Sequence, residues 1–474
     1  MRRGLVVLSL VVAAATAQEI PPSWKQVPRR PLREFSIPQP RRIELTNGLW
    51  LFLMEDHELP LVQAIAMVRF GSRDEPAEKA GLGEILSEAW RTGGTATRGG
   101  DQLDDLLEAR AAKVESWVGT ASSGLSLSCL KEDFDPVFAA FVELLRKPAF
   151  AAEKIEIARA QVQTSIARRN DDAQEIAARE IRKLVYGDDS AYARTPEYAT
   201  VARVSREDCV AWHARFVHPD RVLLGISGDF DSAAMERAVR RAFEDWERGP
   251  AVARPAPSYR RSASAGVFLA EKEDVNQTSI RAAHLGARKD DPDYYALQVM
   301  NQLFGGGFAS RLFSEVRSRL GLAYEVWGGV ETEYDYPGMF VVGMGTRSES
   351  TVAGIRALLT EIDRLRSEPP KAGELASAKE AIVNSFVFRY DSKEKVLREQ
   401  MRFAFFGYPA DFLERYRAGV EKVTAADVAR VARKYVRKED LAILVVGNPD
   451  EMKGLSEIGT VKKIDISIPG TPGN

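Results

Sequence analysis

The feature that most constrains this chain is that it repeats itself. Val204-Ser205-Arg206-Glu207-Asp208 opens a helical pattern that runs to Phe216-Val217. A strand pattern, Val222–Ser227, follows and stops at Gly228-Asp229. The same series begins again 219 positions later, at Val423-Thr424-Ala425-Ala426-Asp427. Its helix ends at Tyr435-Val436, its strand is Leu441–Val446, and the stop is Gly447-Asn448. Ser205 and Thr424 have the side chains of helix N-caps, each with an acid three residues on, a variant of the capping box. The fronts of the halves match as well: Gly71-Ser72-Arg73 and Gly286-Ala287-Arg288 each precede a helix, 215 positions apart. Two matches in one order at nearly equal offsets argue for two homologous lobes. Strand and helix patterns do not alternate strictly within a half. The expected fold is therefore α+β, each lobe a mostly antiparallel sheet with helices on one face, and not a doubly wound sheet.

A chain of 474 residues gives each half enough length to bury a substantial core. Its 45% hydrophobic and 28% charged residues place it with soluble globular proteins. A net charge of -2 without a basic stripe argues against nucleic-acid binding. Residues 1–17 read as a secretory signal: Arg2 and Arg3, the apolar run Gly4–Ala15, then the small-residue site Ala15-Thr16-Ala17. The run is too short to span a bilayer, and no Cys lies nearby to carry a lipid. The expected location is periplasmic or secreted. Residues 18–41 form a proline-rich extended arm, 42–247 the first lobe, 248–262 a linker marked by Pro250, Pro255 and Pro257, and 263–474 the second lobe. The two cysteines, Cys129 and Cys209, fall in a strand pattern and near a helix start, and the preferred reading is two buried, unpaired thiols.

Asn47-Gly48 between Ile43-Glu44-Leu45 and Leu49–Leu53 is a hairpin signal. A strand follows near Leu61–Phe70, helices at Gly81–Arg91 and Asp101–Ala112, and a strand pair within Val114–Leu130. Two helices come next, the second running from about Ala151 towards Val185.

Gly71-Ser72-Arg73-Asp74-Glu75, then Ala80-Gly81-Leu82, resembles the start of the insulinase-like (pitrilysin) zinc-peptidase motif. In that family an H-x-x-E-H helix comes next. Two His one turn apart grip zinc, and the Glu between them reaches the metal-bound water. Here the matching stretch is Gly83-Glu84-Ile85-Leu86-Ser87-Glu88. Glu84 and Glu88 replace the two His, and Ser87 replaces the base. The region matching the third ligand, Gln163-Thr164-Ser165-Ile166, has no carboxylate. The four His of the chain, His57, His213, His218 and His284, are scattered. His213 and His218 read as surface or cap residues at a helix end. As an alternative, Glu84 and Glu88 would suit a hard metal ion weakly, but a solvated or cavity-lining acidic pair is the simpler reading. No zinc is expected in this chain.

The second half departs less. Leu303-Phe304-Gly305-Gly306-Gly307-Phe308-Ala309-Ser310-Arg311-Leu312-Phe313, then Arg317 and Gly321-Leu322-Ala323-Tyr324, is similar to the family's C-lobe signature. The resemblance implies a clam-like pair of lobes. It also implies that Arg317 and Tyr324 bind and polarise a scissile carbonyl, in the manner of an oxyanion hole. Without a helix-preceding strand or a following Lys-Ser/Thr, the three glycines do not make a phosphate loop. Two-chain members of the family place the zinc helix on one chain and other parts on a second. This chain resembles the second kind: a subunit without zinc that lends Arg317 and Tyr324 to a partner with an intact H-x-x-E-H. The substrate class is then peptide, held as an added strand. A non-enzymatic peptide-binding scaffold is the alternative.

Overall fold

The computed structural model describes residues 37–253, 258–261 and 264–470. The leader at 1–17, most of the proline-rich arm and the middle of the linker lie outside the described residues. The first sheet has six strands: β1 (Arg41–Glu44), β2 (Trp50–Glu55), β3 (Leu61–Val68), β4 (Lys113–Val118), β5 (Ser123–Leu130) and β6 (Val222–Gly228). Their order is β1-β2-β6-β3-β5-β4, and only β2 and β6 run parallel. Its turn at Asn47-Gly48 forms as expected, with Gly48 at φ 88° and the Asn47 amide donating to the carbonyl of Phe243.

The helices of this half are α1 (Leu82–Thr92), α2 (Gly100–Glu108), α3 (Phe134–Arg146), α4 (Ala152–Arg168), α5 (Ala173–Tyr186), α6 (Tyr198–Val201), α7 (Arg206–Phe216) and α8 (Ser232–Phe243). The long helix expected from Ala151 towards Val185 is in fact two. The chain breaks at Asn170–Asp172, where the Asp172 carboxylate accepts from the N–H groups of Gln174 and Glu175 and starts α5 afresh.

In the second half the strands are β7 (Gly266–Glu271), β8 (Gln277–Leu285), β9 (Ala287–Arg288), β10 (Glu325–Val330), β11 (Thr332–Glu333), β12 (Met339–Arg347), β13 (Ala442–Gly447) and β14 (Val461–Ile464). Its helices are α9 (Tyr294–Phe304), a wide π-helical segment Phe313–Arg319, α10 (Thr351–Ser367), α11 (Ala372–Arg389), α12 (Lys393–Phe406), α13 (Phe412–Lys422) and α14 (Ala425–Tyr435). The large sheet runs β14-β7-β13-β8-β12-β10, with β9 and β11 forming a small separate pair. Position by position this is the first sheet again: β7 for β2, β13 for β6, β8 for β3, β12 for β5 and β10 for β4. The edges differ, because β14 joins from the C-terminal end and runs parallel to β7, whereas β1 is the hairpin partner of β2. Both capping boxes form. The Ser205 hydroxyl accepts from the Asp208 N–H and the Thr424 hydroxyl from the Asp427 N–H.

Each sheet carries its own lobe's helices on one face, and each receives a single helix from the other lobe on its second face. Along β2, Leu51 and Leu53 pack with their own lobe's core, while Phe52 and Met54 pack with Val396, Leu397, Met401 and Phe405 of α12. Along β13, Ile443 and Val445 face their own helices, while Ala442, Leu444 and Val446 meet Ile176, Ala177, Ile181 and Val185 of α5. This two-sided burial is why these strands are continuously apolar and do not alternate. The two traded helices hold equivalent places in the repeat, with N-caps Asp172 and Ser392. Burying each large side chain in such a contact is worth about 1.5–3 kcal/mol. α12 comes close enough that a Cβ at Gly225 on β6 would sit 2.1 Å from Met401 Sδ.

Candidate functional site

α1 is held by its first turn. Glu75 is 7% exposed, and its carboxylate accepts from the N–H of Gly81 (2.9 Å) and of Gly83 (3.0 Å). The guanidinium of Arg194 fixes the same loop through the carbonyls of Ser72 and Glu75. Burial pushes the Glu75 carboxyl up to about 7 against the pull of those two N–H groups. Gly81 at φ 102° supplies a left-handed turn. Gly83 has no room for a side chain, since a Cβ there would lie 2.6 Å from Glu75 Oε1.

Leu82, Ile85, Leu86, Ala89 and Trp90 face the core, which leaves Glu84, Ser87 and Glu88 on the open side of α1. Glu84 and Glu88 are exposed, one turn apart. Glu84 reaches solvent, but partial burial of its carboxyl raises it above the ordinary range. α4 packs beside α1. Its Thr164 and Ser165 hydroxyls donate back to carbonyls of their own helix, at Ala160 and Gln161. This set offers no nitrogen or sulfur donor and does not fit zinc. Among the described residues no group of three or more His, Cys, Asp or Glu is arranged to hold a metal ion.

The histidines are occupied elsewhere. His57 pairs with Asp229 at 2.6 Å on the surface. His284 is buried and accepts the Arg437 N–H. His213, expected as a surface or cap residue, is a core residue. It sits edge-on to Trp90 and Phe150 and bonds the Leu145 carbonyl, and its burial lowers it to about 4. His218 caps its helix as expected, on the Ala214 carbonyl. Cys129 and Cys209 are buried and unpaired.

The second candidate site is built by the end of α9 and the start of β10. Gly305 closes on Gly328 so tightly that a Cβ would lie 2.3 Å from the Gly328 nitrogen. The chain then re-enters a helix with a π-type bond, Leu320 N–H to the Glu315 carbonyl at 2.9 Å. Such widened turns often occur at functional sites. This segment delivers Arg317. Its guanidinium carbon lies 4.5 Å from the Phe313 ring centre and 5.4 Å from that of Tyr324. Phe308 stands edge-on to Phe313 at 4.9 Å. Arg317 makes no ion pair or side-chain hydrogen bond among the described residues, so stacking alone holds it. Tyr324 is 82% exposed and Phe308 81%. Together with Gly307 and Trp327 they line an open cleft of about 560 Å³.

Arg317 and Tyr324, seven residues apart in sequence, are thus side by side. Glu84, Ser87 and Glu88 share the other lobe's helix and belong to a separate surface element. Reading the sequence for chemistry passed over Glu75 as a cap, although it lies within the quoted motif. It also passed over Phe308 and Phe313 as the walls of the Arg317 cleft.

Two repeated α+β lobes, one with a capped helix bearing acids and the other with a stacked Arg beside an exposed Tyr, define a two-lobed, metallopeptidase-like scaffold. The profile described as Insulinase (Peptidase family M16) matches residues 52–194, and that described as Peptidase M16 inactive domain matches residues 203–382. The chain belongs to the insulinase family, peptidase family M16, and its sequence contains no H-x-x-E-H. It is 21% identical over 420 residues to an uncharacterized zinc protease of Rickettsia felis, covering 87% of this chain and 98% of that one. It is 21% identical over 402 residues to the non-peptidase homolog YmxG of Helicobacter pylori, covering 84% and 92%. A crystal structure of a peptidase M16 inactive domain from Pseudomonas fluorescens superposes with a TM-score of 0.77 at 22% identity, over 86% of this chain and 98% of that one. A protease from H. pylori gives 0.77 at 17% identity, over 87% and 100%. Among the described residues no helix is long and apolar enough to cross a membrane.

Proposed function

We propose that this chain is the zinc-free subunit of an exported, two-chain peptidase. Its second lobe contributes Arg317 and Tyr324 to a zinc site carried by a homologous chain with an intact H-x-x-E-H. The observation that carries this reading is the state of Arg317: stacked between Phe313 and Tyr324, without an ion pair, beside a largely exposed phenol. Two donors held at an open cleft suit an oxygen that gains negative charge. Nothing on α1 activates water for them, so the nucleophile comes from elsewhere. The substrate is a peptide in extended form. The edge positions of β4 and β10 in their sheets support strand addition. Export rests on the leader pattern in residues 1–17.

The description of the H. pylori relative as a non-peptidase homolog favours a second reading, a peptide-binding scaffold without chemistry. Steady-state cleavage of a fluorogenic peptide by the chain co-purified with its zinc-bearing partner separates the two. Tyr324→Phe is expected to leave the complex intact and lower turnover by about a hundred- to a thousandfold, more than it weakens substrate binding. Turnover at the parental rate in an intact complex replaces the peptidase reading with the scaffold.

A further inference from the structure

A second cavity, away from α1 and from Arg317, has the features of a binding site. It occupies about 340 Å³ where Lys289, the start of α9, the end of α11, α12 and α13 meet, at the small end of the range for ligand pockets. Its apolar wall comes from Tyr294, Tyr390, Phe403, Phe412 and Tyr416. Its charge is uneven. Lys395 and Arg398 are each matched by an acid one turn away, Asp391 and Glu394. Glu399 is the one carboxylate lining the cavity, and it serves Lys289 and Arg402, with Glu333 acting on Lys289 from outside the cavity. Arg402 pairs with Glu399 at 3.1 Å. Lys289 reaches it only at 4.0 Å. Arg389 forms no ion pair among the described residues.

Lys289 is the unusual member. Its side chain is 15% exposed, and its ammonium lies 4.2 Å from the ring centre of Tyr334 and donates to that hydroxyl at 3.0 Å. The Tyr334 hydroxyl in turn donates to Glu399 at 3.2 Å. Burial pulls the ammonium below its ordinary range, and the neighbouring Arg402 adds to this. A buried cation whose closest carboxylate is 4.0 Å away and shared with an arginine is costly to keep. A second anion beside Lys289 and Arg389 offsets that cost, and the aromatic wall gives its apolar body a place to lie.

We propose that this cavity binds a carboxylate carried on a flat apolar body, with Lys289 and Arg389 on the carboxylate and the tyrosine and phenylalanine rings on the body. The occupant would brace α12 on the side away from the first sheet, which holds its Val396, Leu397, Met401 and Phe405.

Calorimetric titration of the full chain with cinnamate and with its uncharged amide tests this. Cinnamate is expected to saturate at one per chain, and the amide to bind at least about tenfold more weakly. Lys289→Met is expected to weaken cinnamate by about tenfold or more. Because Lys289 is buried, Arg389→Gln at an exposed helix end serves as the second variant, with a loss of about fivefold. Cinnamate binding weaker than about 1 mM overturns the proposal. So does equal binding of the amide, or unchanged cinnamate binding in both variants. A tripeptide ending in phenylalanine, with free and amidated ends, identifies the source. Binding of only the free-ended form assigns the cavity to peptide termini. Binding of cinnamate but neither peptide assigns it to free acids.

Discussion

α1 in the first lobe and the segment Phe313–Arg319 in the second both set polar side chains on an open surface, but they are secured differently. α1 is fixed through its backbone: the buried Glu75 carboxylate holds the N–H groups of Gly81 and Gly83. The Arg317 segment has the backbone approach of Gly305 to Gly328 as well, but Arg317 itself is placed by side-chain stacking on Phe313 and Tyr324. The position equivalent to Glu75 in the second lobe is Asp290, a surface residue paired with Arg288. The place of α1 thus rests on Glu75 and the backbone, apart from the open-face residues Glu84, Ser87 and Glu88. In the second lobe the exposed residues Arg317 and Tyr324 are themselves part of the packing, so changing one disturbs the other.

The equivalence of the lobes is most open to attack at the traded helices. Phe405→Ala, in the cover that α12 gives the first sheet, is expected to cost about 3–5 kcal/mol. Its counterpart on α5, Ile181→Ala, is expected to cost about 2–5 kcal/mol. Denaturant unfolding gives both values. Hydrogen exchange should show the first change loosening β2, β3 and β6, and the second β8 and β13. Loosening confined to the mutated helix's own lobe contradicts the exchange.

Glu75 sharpens the contrast through pH. Its folded pKa of about 7 lies above the ordinary 4.5, so its contribution is complete below about 4.5 and is lost as pH rises through 7. A shift of this size corresponds to about 3 kcal/mol. Wild type should therefore lose stability relative to Glu75→Gln between about pH 5 and pH 8. Unfolding free energies at the two pH values check this, and a constant difference between the proteins counts against it. An Asp290→Asn variant has no buried carboxyl to lose and serves as the second-lobe control.

The smallest expected effect is a symmetric one. Ser205→Ala and Thr424→Ala remove the same cap from repeat-equivalent helices, each at a cost of about 0.5–2 kcal/mol. The two midpoints should shift alike. A disparity above about 1 kcal/mol would show that the caps are equivalent in geometry but not in energy.

What could be read from the sequence was what local chemistry dictates. Asn47-Gly48, the Ser205 and Thr424 caps and the glycine stops identified the hairpin and the repeat, because each acts over a few residues. The Arg317 and Tyr324 pair was legible only through a resemblance, since seven-residue spacing does not by itself bring two side chains together. The break at Asn170–Asp172 was lost because helical periodicity continues across it. The burial of His213 was lost because its partner, the Leu145 carbonyl, lies far away in sequence. For the same reason α12 on the first sheet left no mark except the unbroken apolar run Trp50–Met54 of β2.

That cover has a consequence for how the protein is made. The second face of the first sheet, with Phe52, Met54, Ile65, Met67 and Leu223, is complete in sequence once β6 ends at Gly228. Its lid begins at Val396, about 170 residues later. At ordinary synthesis rates the sheet would wait, half-dressed, for roughly ten to thirty seconds on the ribosome. A nascent chain stalled after α11 would present a sticky apolar surface that the finished protein never shows. That surface is where a chaperone has something to hold, and release is set by the arrival of about the last sixth of the chain.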